Sequence, residues 1–121
     1  MFYIASVFIV LVGIAHSYLG EKYILVRLLQ KSDLPKLFGG TKFTQNTLRF
    51  AWHITTVAWL GLALILVYLA VGQISKQIIG NVIGITFLIH FFVALIASKG
   101  KHLSWLAFLV ISVSTLYASN T

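Results

Sequence analysis

Four long apolar runs, separated by short polar segments, organise the chain. Phe2 to Leu19 is broken only by Ser6, His16, Ser17 and Tyr18, and as a helix it spans roughly 27 Å, close to the thickness of a bilayer's hydrocarbon core. Three further runs, from about Leu48 to Val71, Ile78 to Ala97 and Leu103 to Ala118, read as crossings of the same kind. The pattern predicts an all-α membrane protein: one four-transmembrane-helix bundle over residues 1–121, with crossings at about 2–19, 48–71, 78–97 and 103–118.

Residues 20–47 form the only long polar stretch. Within it Ile24, Leu25, Leu28 and Leu29 recur at helical spacing opposite Lys22, Arg27, Gln30 and Lys31. That predicts a short amphipathic helix, lying on the membrane surface or extending the first crossing. Pro35 and the Gly39-Gly40 pair then punctuate the return. No basic residue precedes Lys22, so the first run lacks the positive n-region of a signal peptide and is read as part of the mature chain.

Composition agrees with the pattern. Of the 121 residues 60% are hydrophobic and 9% charged, with a mean hydropathy of +0.98, more apolar surface than a water-soluble domain of this length can hide. Nine Lys and Arg against two Asp and Glu would suggest nucleic acid in a soluble protein. Here they flank apolar runs, where basic residues orient a membrane protein and hold it against anionic head groups, so the expected partner is the lipid bilayer and not nucleic acid. Counting Arg49 with the first connection, the three connections hold six, one and two basic residues. The first and third are therefore expected in the cytoplasm and both termini outside, a simple pattern that suits a bacterial inner membrane. Tyr18, Tyr23, Trp52 and Trp105 are expected to belt the inner interface.

The chain has no cysteine, which removes thiol nucleophiles and thiolate metal sites. Both acids, Glu21 and Asp33, lie in the first connection, so no carboxylate or nucleophile pair sits inside the bundle and an enzyme is not what the residues favour.

Histidine is the remaining candidate chemistry, because ionisable groups within a bilayer are costly. There is one per crossing, and the topology puts all four in the inner leaflet. His16 shares its stripe with Gly13 and Gly20, His53 with Arg49 and Thr56, and His90 with Thr86 and Ala94, faces fitted to other helices in lipid. His102 lies opposite the small-residue stripe Ser104, Ala107, Ser114 and Ala118 and is excluded. His16, His53 and His90 thus form a candidate metal or cofactor site, holding a divalent transition metal or a b-type haem. Arg49, Glu21, Thr56 and Thr86 are its polar support. The competing reading makes the same rings hydrogen-bonded packing groups. For Arg49 and Glu21 the favoured expectation is two separately solvated charges, with an ion pair as the alternative. Gly80-x-x-x-Gly84 marks close helix contact, within the bundle or with another copy.

Three functions stay open: a metal- or haem-binding membrane protein, a non-catalytic assembly subunit of a membrane complex, and a small oligomeric transporter or channel. The topology itself has a direct check. Accessibility labelling is expected to find Lys36 and Lys101 on the same side of the membrane, and opposite sides would overturn it.

Overall fold

The computed structural model, which describes residues 1–121, is all-helical: α1 (Phe2–Leu28), α2 (Lys42–Ala70), α3 (Lys76–Ser98) and α4 (Ser104–Asn120). The first three are long and apolar enough to cross a membrane, and α4 is apolar but shorter. Only 14 of the 121 residues are buried, while Phe8, Leu11, Ile96 and Val110 are 57–72% exposed. A fold with so little interior has to place its apolar surface against something other than water.

α1 runs without a break through the segment expected to hold an amphipathic helix, so that of the two expected placements the helix extends the first crossing. Residues Gly20–Leu25 are wound as a π-helix, whose wider turn carries Gly20 and Leu25, five residues apart, to one buried face. The chain then turns back through Phe38 and Gly39, both with positive φ, closed by paired backbone bonds between Leu37 and Gly40. The Thr44 hydroxyl donates to the Pro35 carbonyl (2.8 Å) and the Gln45 amide to that of Leu29 (3.0 Å). These side chains explain why α2 begins at Lys42, six residues before the apolar run at Leu48. Hydropathy marks where a helix enters an apolar medium, whereas the helix itself continues to the last position without a breaker, here just after Gly40.

The Ser75 hydroxyl caps α3 by accepting from the Ile78 amide (3.1 Å). The helix ends with Lys99 in the left-handed conformation; its amide donates to Ile96 and that of Gly100 to Leu95, a Schellman arrangement.

Helices pack only with their neighbours in sequence: α1 on α2, α2 on α3, α3 on α4. The bundle is therefore open, without the shared interior that four mutually packed helices would enclose. Each seam closes where one helix has no side chain. Gly13 and Gly20 of α1 lie against Thr56 and Trp52; Gly61 of α2 lies against Thr86; Gly80 and Gly84 of α3 lie against Ser119 and Leu116. The Gly80-x-x-x-Gly84 pair thus serves packing within the chain. Buried hydroxyls then bond across the seams, Ser6 to the Ala63 carbonyl (3.0 Å) and Ser112 to that of Gly84 (2.8 Å). The stripe expected to be the contact face of α4 is not used: Ala107, Ser114 and Ala118 are exposed, and Ser112 and Ser119 are the buried serines.

The first and third connections meet at one end. Lys101 lies over the Phe38 ring at 5.6 Å, and the His102 ring packs against Phe43 and Phe50 at 5.9 and 5.4 Å. Eight of the nine basic residues sit at this end, all except Lys76. Packing at the α3–α4 seam can be checked by substitution. Gly84→Val would drive its methyls into Leu116 and is expected to destabilise the chain by about 1–3 kcal/mol in thermal unfolding in detergent. Gly40→Ala, which meets open space, is expected to change little.

Candidate functional site

Two successive turns of α1 and α2 build the most polar part of the interior. On α1, Gly13, Ser17 and Glu21 are four residues apart and form one stripe, with His16 and Gly20 beside it. On α2, Arg49, Trp52, His53 and Thr56 fall on the opposing face at three- and four-residue spacing. Gly20 decides how near the two helices come, since a Cβ there would overlap the Trp52 indole.

The bonds run as a ladder. Arg49 Nη2 meets Glu21 Oε1 at 3.0 Å and Arg49 Nε donates to Oε2 at 3.3 Å. His53 Nε2 lies 3.1 Å from the same Oε2, and its Nδ1 3.0 Å from Ser17 Oγ. Ser17 Oγ is 2.7 Å from Thr56 Oγ1, which donates to the Gly13 carbonyl at 3.2 Å. The carboxylate can only accept, so Nε2 of His53 carries a proton. A second feature lies alongside: the His16 ring stacks on Trp52, with centroids 4.5 Å apart and planes 2° from parallel. The Trp52 indole donates to the His16 carbonyl at 3.1 Å. Because the Thr55 hydroxyl donates to the Trp52 carbonyl (2.7 Å), the His16 Nε2 that lies 3.0 Å from it must be the donor in that pair.

The expected site residues separate into two groups. His16, His53, Glu21, Arg49 and Thr56 come together on the α1–α2 seam. His90 stands elsewhere, buried on α3 against Phe87 and Phe108 at 5.1 and 5.5 Å, with Nε2 unpartnered. Thr86 donates to its own helix, at the Val82 carbonyl (2.7 Å), and packs on Gly61. No group of three His, Cys, Asp or Glu side chains is placed to hold a metal ion. The expected three-histidine centre is corrected accordingly. Both His53 nitrogens are taken by Glu21 and Ser17, and α1 and α2 meet too closely at Gly13 and Gly20 to admit a porphyrin between them.

Arg49 and Glu21 also depart from the favoured expectation of separate solvation, and form an ion pair although 44% and 35% exposed. The reason is a third member, since His53 braces the carboxylate from the same helix as Arg49. The sequence reading also missed Ser17, Trp52 and Thr55 as members. Ser17 and Thr56 were legible in principle from the shared spacing of polar positions on the two helices. Trp52 was read as a belt residue because indoles favour interfaces.

Chemically the ladder has two complete proton arrangements. With His53 doubly protonated, Nδ1 donates to Ser17, Ser17 to Thr56, and Thr56 to the Gly13 carbonyl. With His53 neutral, the order reverses: Thr56 donates to Ser17, Ser17 to Nδ1, and the Gly13 carbonyl loses its bond. Protonation of one imidazole thus alters a contact two residues away on the opposite helix. Compared with protein-family models, curated proteins and solved structures, the chain matches none.

Glu21 lies past the apolar run of α1, at the charged end. Partial burial acts to raise its pKa, but the hydrogen bond from His53 and the charge and hydrogen bond of Arg49 outweigh this and hold it below the ordinary carboxylate range. A carboxyl whose pKa is lowered by folding stabilises the fold above its unfolded-state value, and that contribution is lost as pH falls through the folded-state value. Solvent screening limits its size at this exposure to about 1 kcal/mol or less. Thermal unfolding in detergent is therefore expected to show a Glu21–Arg49 coupling of about 0.5–1 kcal/mol in a double-mutant cycle with glutamine at both positions. The coupling is expected to vanish on acidification, and one that persists with Glu21 protonated would contradict this account.

Proposed function

We propose that this chain is a four-crossing membrane protein that acts as a non-catalytic assembly subunit, associating laterally with a second copy through the outer face of α4. The observation that carries the reading is the open bundle, in which α1 and α4 each have a single helix neighbour. Such a layer has no enclosed centre for a cofactor or a pore, so its capacity lies in its flanks.

The two flanks differ. Phe2, Tyr3, Val7, Phe8, Leu11 and Ile14 cover the outside of α1 with large side chains, a surface suited to acyl chains. The outside of α4 also exposes Leu106, Val110, Val113 and Tyr117, but among them Ala107, Ser114 and Ala118 lie along one side, interrupted by Ile111. Ser114-x-x-x-Ala118 has the small-x-x-x-small spacing that lets helices approach closely in lipid. α4 is also the shortest helix, with 17 residues that cover roughly 25 Å, and association is one way a short span accommodates a thicker bilayer. A two-fold axis along the membrane normal would bring identical stripes together, as a symmetric interface requires.

A second reading rests on the reversible ladder of Glu21, His53, Ser17 and Thr56. In it the α1–α2 seam senses protons at the charged end and passes the change to the Gly13 carbonyl. It describes how such a subunit could respond and does not compete with the α4 contact.

The absence of cysteine makes the test direct. Single-cysteine variants Ala107→Cys and Ser114→Cys, oxidised in membranes, are expected to give disulfide dimers, and Phe8→Cys is not. Equal cross-linking at Phe8, or none at the α4 positions in a chain of unchanged helical content, would overturn the proposal.

A further inference from the structure

Between the first and third connections lies a cavity of about 220 Å³, lined by Lys42, Lys99, Lys101, Asn46 and the Gly39-Gly40 turn. We infer that it is a binding site for the phosphate head group of an anionic glycerophospholipid. The inference rests on reading the chain as membrane-spanning and is independent of the α4 contact.

Three lysines, Lys42 at the start of α2 and Lys99 and Lys101 at the third connection, line one small space, and no acidic residue lines it. Glu21 is committed to Arg49 and His53 in the neighbouring seam, so the positive charge of the cavity has no partner within those residues. Lys42 is also the first residue of α2, whose first turn has no acidic residue and no side-chain cap. The positive end of a 29-residue helix therefore adds to the field of the lysines. The volume equals that of about seven waters, on the order of a phosphodiester with its nearest oxygens.

What selects a lipid over free phosphate is the apolar rim. Leu37 and Phe38, which line the cavity, are 48% and 70% exposed. Phe38 is held outward at φ 55°, a left-handed conformation that a bulky residue rarely adopts. A phenyl group kept there in water would gain nothing. At the boundary of head groups and acyl chains it buries its ring while Lys101 lies over it. Basic side chains beside apolar anchors between transmembrane helices are the arrangement that anionic head groups favour.

The proposal also accounts for how the loops are fixed. The Trp105 indole donates to the Gly100 carbonyl at 3.1 Å, and the left-handed Lys99 closes α3. Lys99 and Lys101 thus stand on a short, tied connection, which lowers the ordering cost of binding.

The test uses the full chain, purified and delipidated in detergent, with binding read by native mass spectrometry. Phosphatidylglycerol, phosphatidylcholine and inorganic phosphate are added separately. Phosphatidylglycerol is expected to bind with 1:1 stoichiometry and at least tenfold more tightly than phosphatidylcholine. The cavity variant Lys42→Gln/Lys99→Gln/Lys101→Gln is expected to lose that preference. A variant of equal charge change at the same end, Lys22→Gln/Arg27→Gln/Lys31→Gln, is expected to keep it within threefold. Helical content by circular dichroism verifies that each variant is folded, and the single variants Lys99→Gln and Phe38→Ala, at exposed positions, provide the same reading if a triple variant is not. Equal losses in the two triple variants would reduce the effect to diffuse charge and overturn the site. Inorganic phosphate that displaces phosphatidylglycerol at equal concentration would overturn the lipid assignment.

Discussion

Close approach between helices at positions without side chains is the constraint on which the rest of the structure depends. In an apolar surrounding there is no hydrophobic gain from bringing two helices together, so contact has to come from packing and from hydrogen bonds that short distances allow. Gly13 and Gly20 set the distance between α1 and α2, and Gly80 and Gly84 that between α3 and α4. The serine and threonine bonds across each seam follow from those distances. Without Gly20 the Trp52 indole could not lie on α1 and reach the His16 carbonyl.

The charged end follows from the same geometry. α1 continues past its apolar run, first as a π-helix over Gly20–Leu25 and then as a last α-helical turn, with Glu21 facing α2. There it meets Arg49 and His53, and the ladder behind His53 runs from the charged end toward the middle of the seam. Removing the only carboxylate of the interior from the field of the lysines has a second effect at the neighbouring connections. The cationic charge around Lys42, Lys99 and Lys101 is left without an acidic residue in the same cavity. One ion pair thereby fixes the α1–α2 seam and leaves the neighbouring lysines without that carboxylate.

The open arrangement in chain order has a physical cause too. Each short connection places consecutive helices side by side, and each such pair has a complementary glycine and hydroxyl face. No third face of that kind is used between α1 and α3 or between α2 and α4, so nothing draws the row closed. What remains exposed is mostly large and apolar, on α4 as on α1, with Ala107, Ser114 and Ala118 as small positions among the large ones of α4.

Several features were legible in the residues alone. The apolar runs located α3 and α4 to within two positions at each end, but missed nine residues at the end of α1 and six at the start of α2, where the helices continue beyond their apolar runs. The basic residues foretold that the first and third connections share an end. The stripes of His16 and His53 were read correctly as facing another helix, because small or polar residues recur with them at helical spacing. Which helix each stripe would meet was not legible. His90 has the same kind of stripe, yet it faces the Phe87 and Phe108 rings, and the expected meeting of three imidazoles did not occur. A sequence determines the face on which a side chain lies through the helical repeat, a local property of the backbone. Partners across a seam, the pairing of Glu21 with Arg49 and the choice of Ser112 over Ser114 on α4 were decided only by the tertiary structure. They depend on how near two backbones come and at what angle, which local spacing does not contain.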